Sequence, residues 1–196
     1  MRRHVVVALG VIALGAVGLF SVLFWQDALE LWHLSRFQSQ DASVSSAAAE
    51  ALVSLKSTRA IPVFLGITTS EKTCPFEEHA RKILAALDDS AYERLASRLR
   101  YEPDELTLHV VKAAQAAGVE RRRLLPILRR ALGSANVYFC RWACEEIGEV
   151  GPDAVSLLPE IRSAQRSPDR LVSTWARIAE AKIDPSAPVV DLVKPQ

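Results

Sequence analysis

A long apolar run near the N-terminus is the first pattern along the chain. Residues 5–25 carry no charged side chain and almost no polar one. At a helical rise of about 1.5 Å per residue, this run would cross about 30 Å, the thickness of the hydrocarbon core of a bilayer. The pattern therefore predicts a single transmembrane helix over 5–25.

The flanks of this run predict its orientation in the membrane. Arg2 and Arg3 precede the run, and acidic residues follow it. The positive-inside rule therefore predicts that residues 1–4 are cytoplasmic and that the chain after residue 25 is extracytoplasmic, in the periplasm. Trp25 and Trp32 fit the outer interface, where amphipathic rings are stabilised at the headgroups.

A cleaved signal peptide is the alternative interpretation of this run. Ala16-Val17-Gly18 has small residues at the spacing that signal peptidases accept. The apolar run nevertheless continues for seven residues beyond Gly18. That length favours an uncleaved anchor, and cleavage stays open as the alternative.

The sequence after the anchor repeats itself. Leu124-Leu125-Pro126 aligns with Leu157-Leu158-Pro159 at an offset of 33 residues, and the match continues without a gap. The further identical pairs are Arg129/Arg162, Ala131/Ala164, Ser134/Ser167, Trp142/Trp175, Ala143/Ala176, Pro152/Pro185 and Ala154/Ala187. A fixed period of this length is typical of helical repeat proteins.

Each copy has the pattern of two helices joined by a turn. In the first copy, apolar residues recur at helical spacing over Arg121–Leu132 and again over Val137–Val150. Asn136 can cap the second helix, and Gly151 suits a left-handed end. The expected buried stripes are Leu124, Leu125, Leu128 and Leu132, then Phe139, Ala143, Ile147 and Val150, then Val172, Ala176, Ala179 and Ile183.

Weaker copies of the pattern occur earlier in the chain. They cover residues 88–118, 59–87 and 41–52, and a helix over 26–38 would pair with the earliest copy. About five pairs stacked side by side would bury a continuous core. The sequence therefore predicts an all-α protein with a right-handed α-solenoid over 26–185 and a flexible tail over 186–196.

Two segments resemble short bacterial HEAT repeats, the form also seen in phycobilisome-lyase-like proteins. They are AAAEALVSLKSTRAIPVF and WACEEIGEVGPDAVSLLPEI. The resemblance indicates the family and not a function. A stack of helical repeats presents an extended concave surface, so we expect a protein-interaction scaffold or adaptor that binds its partner there. This chain departs from the HEAT pattern at one position of the second helix, where such repeats usually hold a basic residue. That place holds Ser45, Glu77, Thr107, Cys140 and Ser173.

Composition narrows the function classes. Apolar residues make up 49% of the chain, and 24 basic residues nearly balance 23 acidic ones. No global charge therefore directs the chain towards nucleic acid. The chain has three cysteines, Cys74, Cys140 and Cys144. Because this number is odd, we interpret them as thiols rather than as a disulfide framework.

The candidate binding site is a row of equivalent positions on successive second helices, occupied by Ala47, His79, His109, Trp142 and Trp175. Tyr138 and Arg141 fall off the apolar stripe and complete the expected protein-binding surface, because Trp, Tyr and Arg are enriched at interfaces. The alternative is that these rings fill the core. A metal site at His79 and His109 is disfavoured, since stacked helices lie about 8–10 Å apart.

No nucleophile–base pair, phosphate-binding loop or metal-ligand motif is present in the sequence. We therefore expect a binding protein that needs no cofactor rather than an enzyme. The alternatives are an accessory subunit of a larger membrane complex, or lyase-like or chaperone-like handling of a cofactor-bearing protein. The arginines at 121–123, 129 and 130 form a basic patch. This patch indicates either a docking site for an acidic partner or lipid headgroups, or a solvated helix face with cross-helix ion pairs.

Overall fold

The computed structural model describes residues 25–66 and 76–186. Within those ranges every regular element is helical, which confirms the all-α prediction at that level. Residues 5–24 of the predicted membrane span and almost all of the predicted tail lie outside the described residues. None of the helices in the described ranges is long and apolar enough to cross a bilayer.

Contacts group the chain into two compact units, Met1–Ser57 and Thr58–Gln196. The sequence predicts a single repeat domain over 26–185, and this remains a prediction. The first unit contains a helix over 25–37 (α1) and the helix Ala42–Ser54 (α2). The side chain of Asp41 caps α2 by accepting from the backbone N–H groups of Ser43 and Val44.

The second unit contains eight α-helices among its described residues. They are Ala60–Gly66 (α3), Glu77–Ala86 (α4), Asp89–Leu99 (α5), Asp104–Ala116 (α6), Leu125–Leu132 (α7), Val137–Val150 (α8), Leu158–Ala164 (α9) and Arg170–Ile183 (α10). Two 3-10 helices, Arg121–Leu124 and Gly151–Leu157, lead directly into α7 and α9. The predicted helix Arg121–Leu132 therefore begins with a tighter turn than expected.

Several helices of this unit contact the helix two places along the chain. These contacts join α5 to α7, α7 to α9, α4 to α6 and α8 to α10. The second helix of each later copy also packs on its own first helix, α8 on α7 and α10 on α9.

Capping residues repeat with the helices. Asn136 accepts hydrogen bonds from the backbone N–H groups of Tyr138 and Phe139 at the start of α8. Asp169 does the same for Leu171 and Val172 at the start of α10. The two caps are 33 positions apart in the sequence, so the repeat period predicted from identities also sets where the second helices begin.

The buried stripes are confirmed in part. Phe139, Ala143 and Ile147 are buried on α8, and all four expected residues are buried on α10. Val150, Leu125 and Leu132 are only half-buried. On α7, Ile127 and Ala131 are buried beside Leu128 instead. Gly151 has φ 71° and ψ −143°, a backbone conformation outside the left-handed helical region that the sequence predicted.

In three of the predicted copies, the position at which HEAT repeats usually hold a basic residue has a structural role. Ser45 Oγ donates to the carbonyl of Phe37 at 2.9 Å, and Cys140 Sγ donates to the carbonyl of Leu132 at 3.3 Å. Thr107 Oγ1 accepts from Arg130 at 2.7 Å. These small polar side chains therefore satisfy groups at the end of a preceding or neighbouring helix.

Candidate functional site

Helix α8 positions three of the predicted binding residues. Because α8 begins at Val137 under the Asn136 cap, Tyr138, Arg141 and Trp142 lie three and four positions apart on one side of the helix. Tyr138 is 74% exposed, whereas Arg141 and Trp142 are half-buried. The predicted orientation of Tyr138 towards solvent is confirmed.

Trp142 lies between the core and the surface. Its ring stacks on that of Phe139, with 5.2 Å between ring centroids and an angle of 17° between planes. It also packs against a buried cluster that contains Ala131 and Ala143. The core therefore holds one side of the indole, and the ring is not buried as a pure core residue would be.

Arg141 connects α8 with α10. Its guanidinium carbon lies 5.5 Å from the centroid of the Trp175 ring, which is a cation–π distance. It also forms a long ion pair of 3.9 Å with Glu145, one turn along α8. Trp175 is half-buried on α10, so the arginine places a charged plane beside a partly exposed indole.

The two histidines of the predicted row have different environments. The imidazole of His79 packs against Phe64 and Phe76, with ring centroids 6.0 Å and 5.6 Å away. His109 is exposed on α6. His79 therefore belongs to an aromatic cluster between α3 and α4, whereas the side chain of His109 faces solvent.

A groove that the sequence analysis missed lies between α6 and α8. Its volume is about 290 Å³, and its lining residues are Asp104, Glu105, Leu108, Lys112, Asn136, Tyr138, Phe139 and Trp142. The repeat offset contains a signal for it, since Glu105 and Leu108 are the counterparts of Tyr138 and Arg141 one period earlier. The repeat offset identifies equivalent positions, but it does not show that a groove lies between the two helices.

The arginines of the first helices form cross-helix pairs. Arg121 pairs with Glu146 at 3.0 Å and Arg129 with Glu160 at 3.1 Å. Arg123 pairs with Asp89 at 2.7 Å, and its guanidinium lies over the ring of Tyr92, whose pKa burial raises to about 12. These contacts confirm the interpretation of this region as a face with cross-helix ion pairs.

The described residues contain no cluster of three or more side chains of the types that hold metal ions. Cys140 and Cys144 are free and buried, as the sequence interpretation had them. A hydrogen bond with Cys140, together with burial, raises the pKa of Cys144. A protonated buried thiol is a poor nucleophile.

Comparison of the chain with protein-family models and with curated proteins finds no match.

Proposed function

We propose that this protein is a membrane-anchored HEAT-type repeat protein that binds a partner protein through its second helices. One observation carries the proposal: Tyr138, Arg141, Trp142 and Trp175 come together on α8 and α10, and none of them is fully buried. We call these four residues the aromatic face. Arginine and large aromatic residues of this kind are the residue types that dominate binding hot spots.

The exposed apolar surface of the aromatic face favours association with a partner protein. Tyr138 is 74% exposed, and Leu171, its counterpart one repeat later on α10, is 48% exposed. Burial of apolar surface stabilises by roughly 25 cal/mol per Å², so covering these side chains would release free energy for association. The Arg141–Trp175 stack holds the guanidinium in place, which lowers the entropy lost on binding.

The repeat assignment rests on sequence period and on helix packing. The 33-residue identity between the last two copies agrees with their equivalent caps, Asn136 and Asp169. The contacts of α5 with α7 and of α7 with α9 are those of successive pairs in a stack. A right-handed solenoid with a concave binding face is the architecture that this order supports best.

The membrane assignment rests on the apolar run over 5–25 and on the helix that follows it. On α1, Trp25 is 70% exposed, Leu31 56% and Trp32 48%. Exposed tryptophans next to a predicted span are typical of a membrane interface. The chain would then hold its repeats beside the outer surface of the membrane.

Affinity purification of the full chain in mild detergent tests the proposal. We expect a partner that co-purifies with the wild type to be lost with Arg141→Glu. Arg94→Glu on α5 is the matched control, since Arg94 is exposed and, among the described residues, hydrogen-bonds only to Ser90 of its own helix. A set of co-purifying proteins that is identical for both variants would contradict the assignment of the aromatic face.

The stoichiometry of the captured protein distinguishes the alternatives. A partner present in equal amounts after stringent washing would make the chain an accessory subunit of a membrane complex. A partner present in traces that carries a covalently bound cofactor would instead favour lyase-like or chaperone-like handling.

A further inference from the structure

The groove between α6 and α8 has an apolar floor. Leu108 and Trp142 are partly buried and pack on the cluster that contains Phe139. The stacking of Phe139 on Trp142 keeps the indole in one orientation. A rigid apolar surface beside a groove of about 290 Å³ offers space for a side chain of a bound segment.

Charges of opposite sign mark the two ends of this groove. Asp104 and Glu105 lie in the first turn of α6, and Lys112 lies seven positions after Glu105. Seven residues of helix span about 10 Å. Ser134 Oγ donates to the carboxylate of Asp104 at 2.6 Å, which fixes the acidic end in position.

Two of these charges have no ionic partner in the part of the chain that the structure describes. Among residues 25–66 and 76–186, neither Glu105 nor Lys112 forms an ion pair. The arginines of the neighbouring first helices, in contrast, are largely paired with carboxylates. Unpaired charges at fixed separation are available to select the charge pattern of a ligand.

We propose that this groove binds a segment of the partner in which an apolar side chain lies between a basic and an acidic side chain. The basic side chain pairs with Glu105 and Asp104, the apolar side chain packs on Leu108 and Trp142, and the acidic side chain reaches Lys112. The inference rests on the proposed function and adds the chemistry and direction of the bound segment. The two carboxylates at one end disfavour a uniformly acidic segment by like-charge repulsion.

The contributions of these contacts differ in size. The apolar anchor supplies affinity, because Trp142 is already held and loses little freedom on binding. The exposed ion pairs at the ends contribute less and mainly set register and direction. Loss of one end charge should therefore weaken binding modestly, whereas loss of the indole should weaken it much more.

Selection from a phage-displayed library of random dodecapeptides on the immobilised full chain tests the inference. We expect enriched peptides to share a basic, an apolar and an acidic residue in one order. Fluorescence anisotropy of a synthetic enriched peptide then measures affinity for each variant. Glu105→Lys should weaken binding by about two- to fivefold, the range of an exposed ion pair, and Trp142→Ala by about thirtyfold.

Two further measurements make the result specific. A peptide whose basic residue is replaced by glutamate should regain affinity for the Glu105→Lys variant. Glu93→Lys is the matched control, because Glu93 is exposed on α5 and does not line this groove. Thermal unfolding of each variant shows whether it is folded, and Leu108→Asn replaces Trp142→Ala if that variant fails to fold.

The outcomes separate this inference from the proposed function. Peptides that depend on Trp142 but show no charge preference, and that bind the Glu105→Lys variant unchanged, would overturn the charged-groove inference and leave the aromatic face intact. Failure to enrich any peptide over the uncoated surface would overturn the inference. Enriched peptides that depend on neither Trp142 nor Arg141 would overturn both proposals.

Discussion

Adjacent residues of α8 have different roles, one in the core and the next at the surface. Phe139 is 6% exposed and packs inside, whereas its neighbour Tyr138 is 74% exposed. Trp142 stacks on Phe139 but stays half-buried. Adjacent residues on a helix point about 100° apart, so the same segment contributes to the core and to the aromatic face.

Phe139 and Trp142 should differ in their effect on stability. We expect Phe139→Ala to lower the free energy of unfolding by about 3–5 kcal/mol, the cost of removing a buried ring. Trp142→Ala should cost only about 1–2 kcal/mol, because part of the indole already contacts water. Urea unfolding of both variants measures the difference; equal losses would mean that Trp142 is a core residue.

Glu180 gives the protein a predictable response to acid. Hydrogen bonds from Gln165 and Arg162 hold the pKa of Glu180 below its ordinary value of 4.5. A carboxylate with a lowered folded-state pKa contributes stability above its unfolded pKa, and this contribution is lost as the pH falls through the folded pKa. We therefore expect the stability of the wild type to fall below about pH 4.5.

Substitution of Glu180 isolates its share of this acid dependence. Glu180→Gln should flatten the pH dependence of the unfolding free energy below pH 4.5, since it removes the titrating group. Glu93→Gln, the same change at an exposed carboxylate on α5, is the control. Identical slopes for all three proteins would show that the Glu180 hydrogen bonds do not persist in solution.

At the scale of elements, the packing of α8 on α10 depends on one glycine. A Cβ atom at Gly148 would lie 3.1 Å from Cα of Ala179 and 3.4 Å from its Cβ. The nearest atom belongs to the backbone of α10, so the helix itself would have to move. The small residues at this contact therefore set how closely the two helices approach.

Gly148→Val should lower the melting temperature because the branched side chain forces α10 away from α8. Overpacking of this kind typically costs about 1–3 kcal/mol. Gly133→Ala is the control, because the nearest atom to its Cβ would be the Arg130 carbonyl oxygen at an ordinary 3.4 Å. Calorimetry of the two variants tests the contact, and a melting temperature for Gly148→Val equal to that of wild type would contradict it.

At the scale of the whole molecule, the orientation in the membrane is still a prediction from the sequence. Arg2 and Arg3 precede the apolar run, which places the N-terminus inside under the positive-inside rule. A reporter enzyme that is active only outside the cytoplasm, fused after Gln196, should therefore be active. Replacement of both arginines by glutamate should reduce that activity, and a fusion that is active only in the cytoplasm would reverse the assigned topology.

The sequence by itself determined the features that depend on short-range chemistry. Helical spacing of apolar residues predicted α8 with the bounds that the structure has, Val137–Val150, and Asn136 was identified as its cap. The four buried residues of α10 were also predicted from the repeat offset. Periodicity and capping are local properties, so a chain carries them irrespective of how its helices later pack.

Only the tertiary structure decided the features that depend on which helices become neighbours. The groove between α6 and α8, the stack of Arg141 on Trp175 and the close approach of Gly148 to Ala179 each join residues from two helices. The predicted row of His79 to Trp175 treated equivalent positions as one surface, yet His79 packs between α3 and α4. The sequence period shows which residues occupy equivalent positions in successive copies. The distances between their side chains depend instead on how the helices pack, and the period carries no information on that packing.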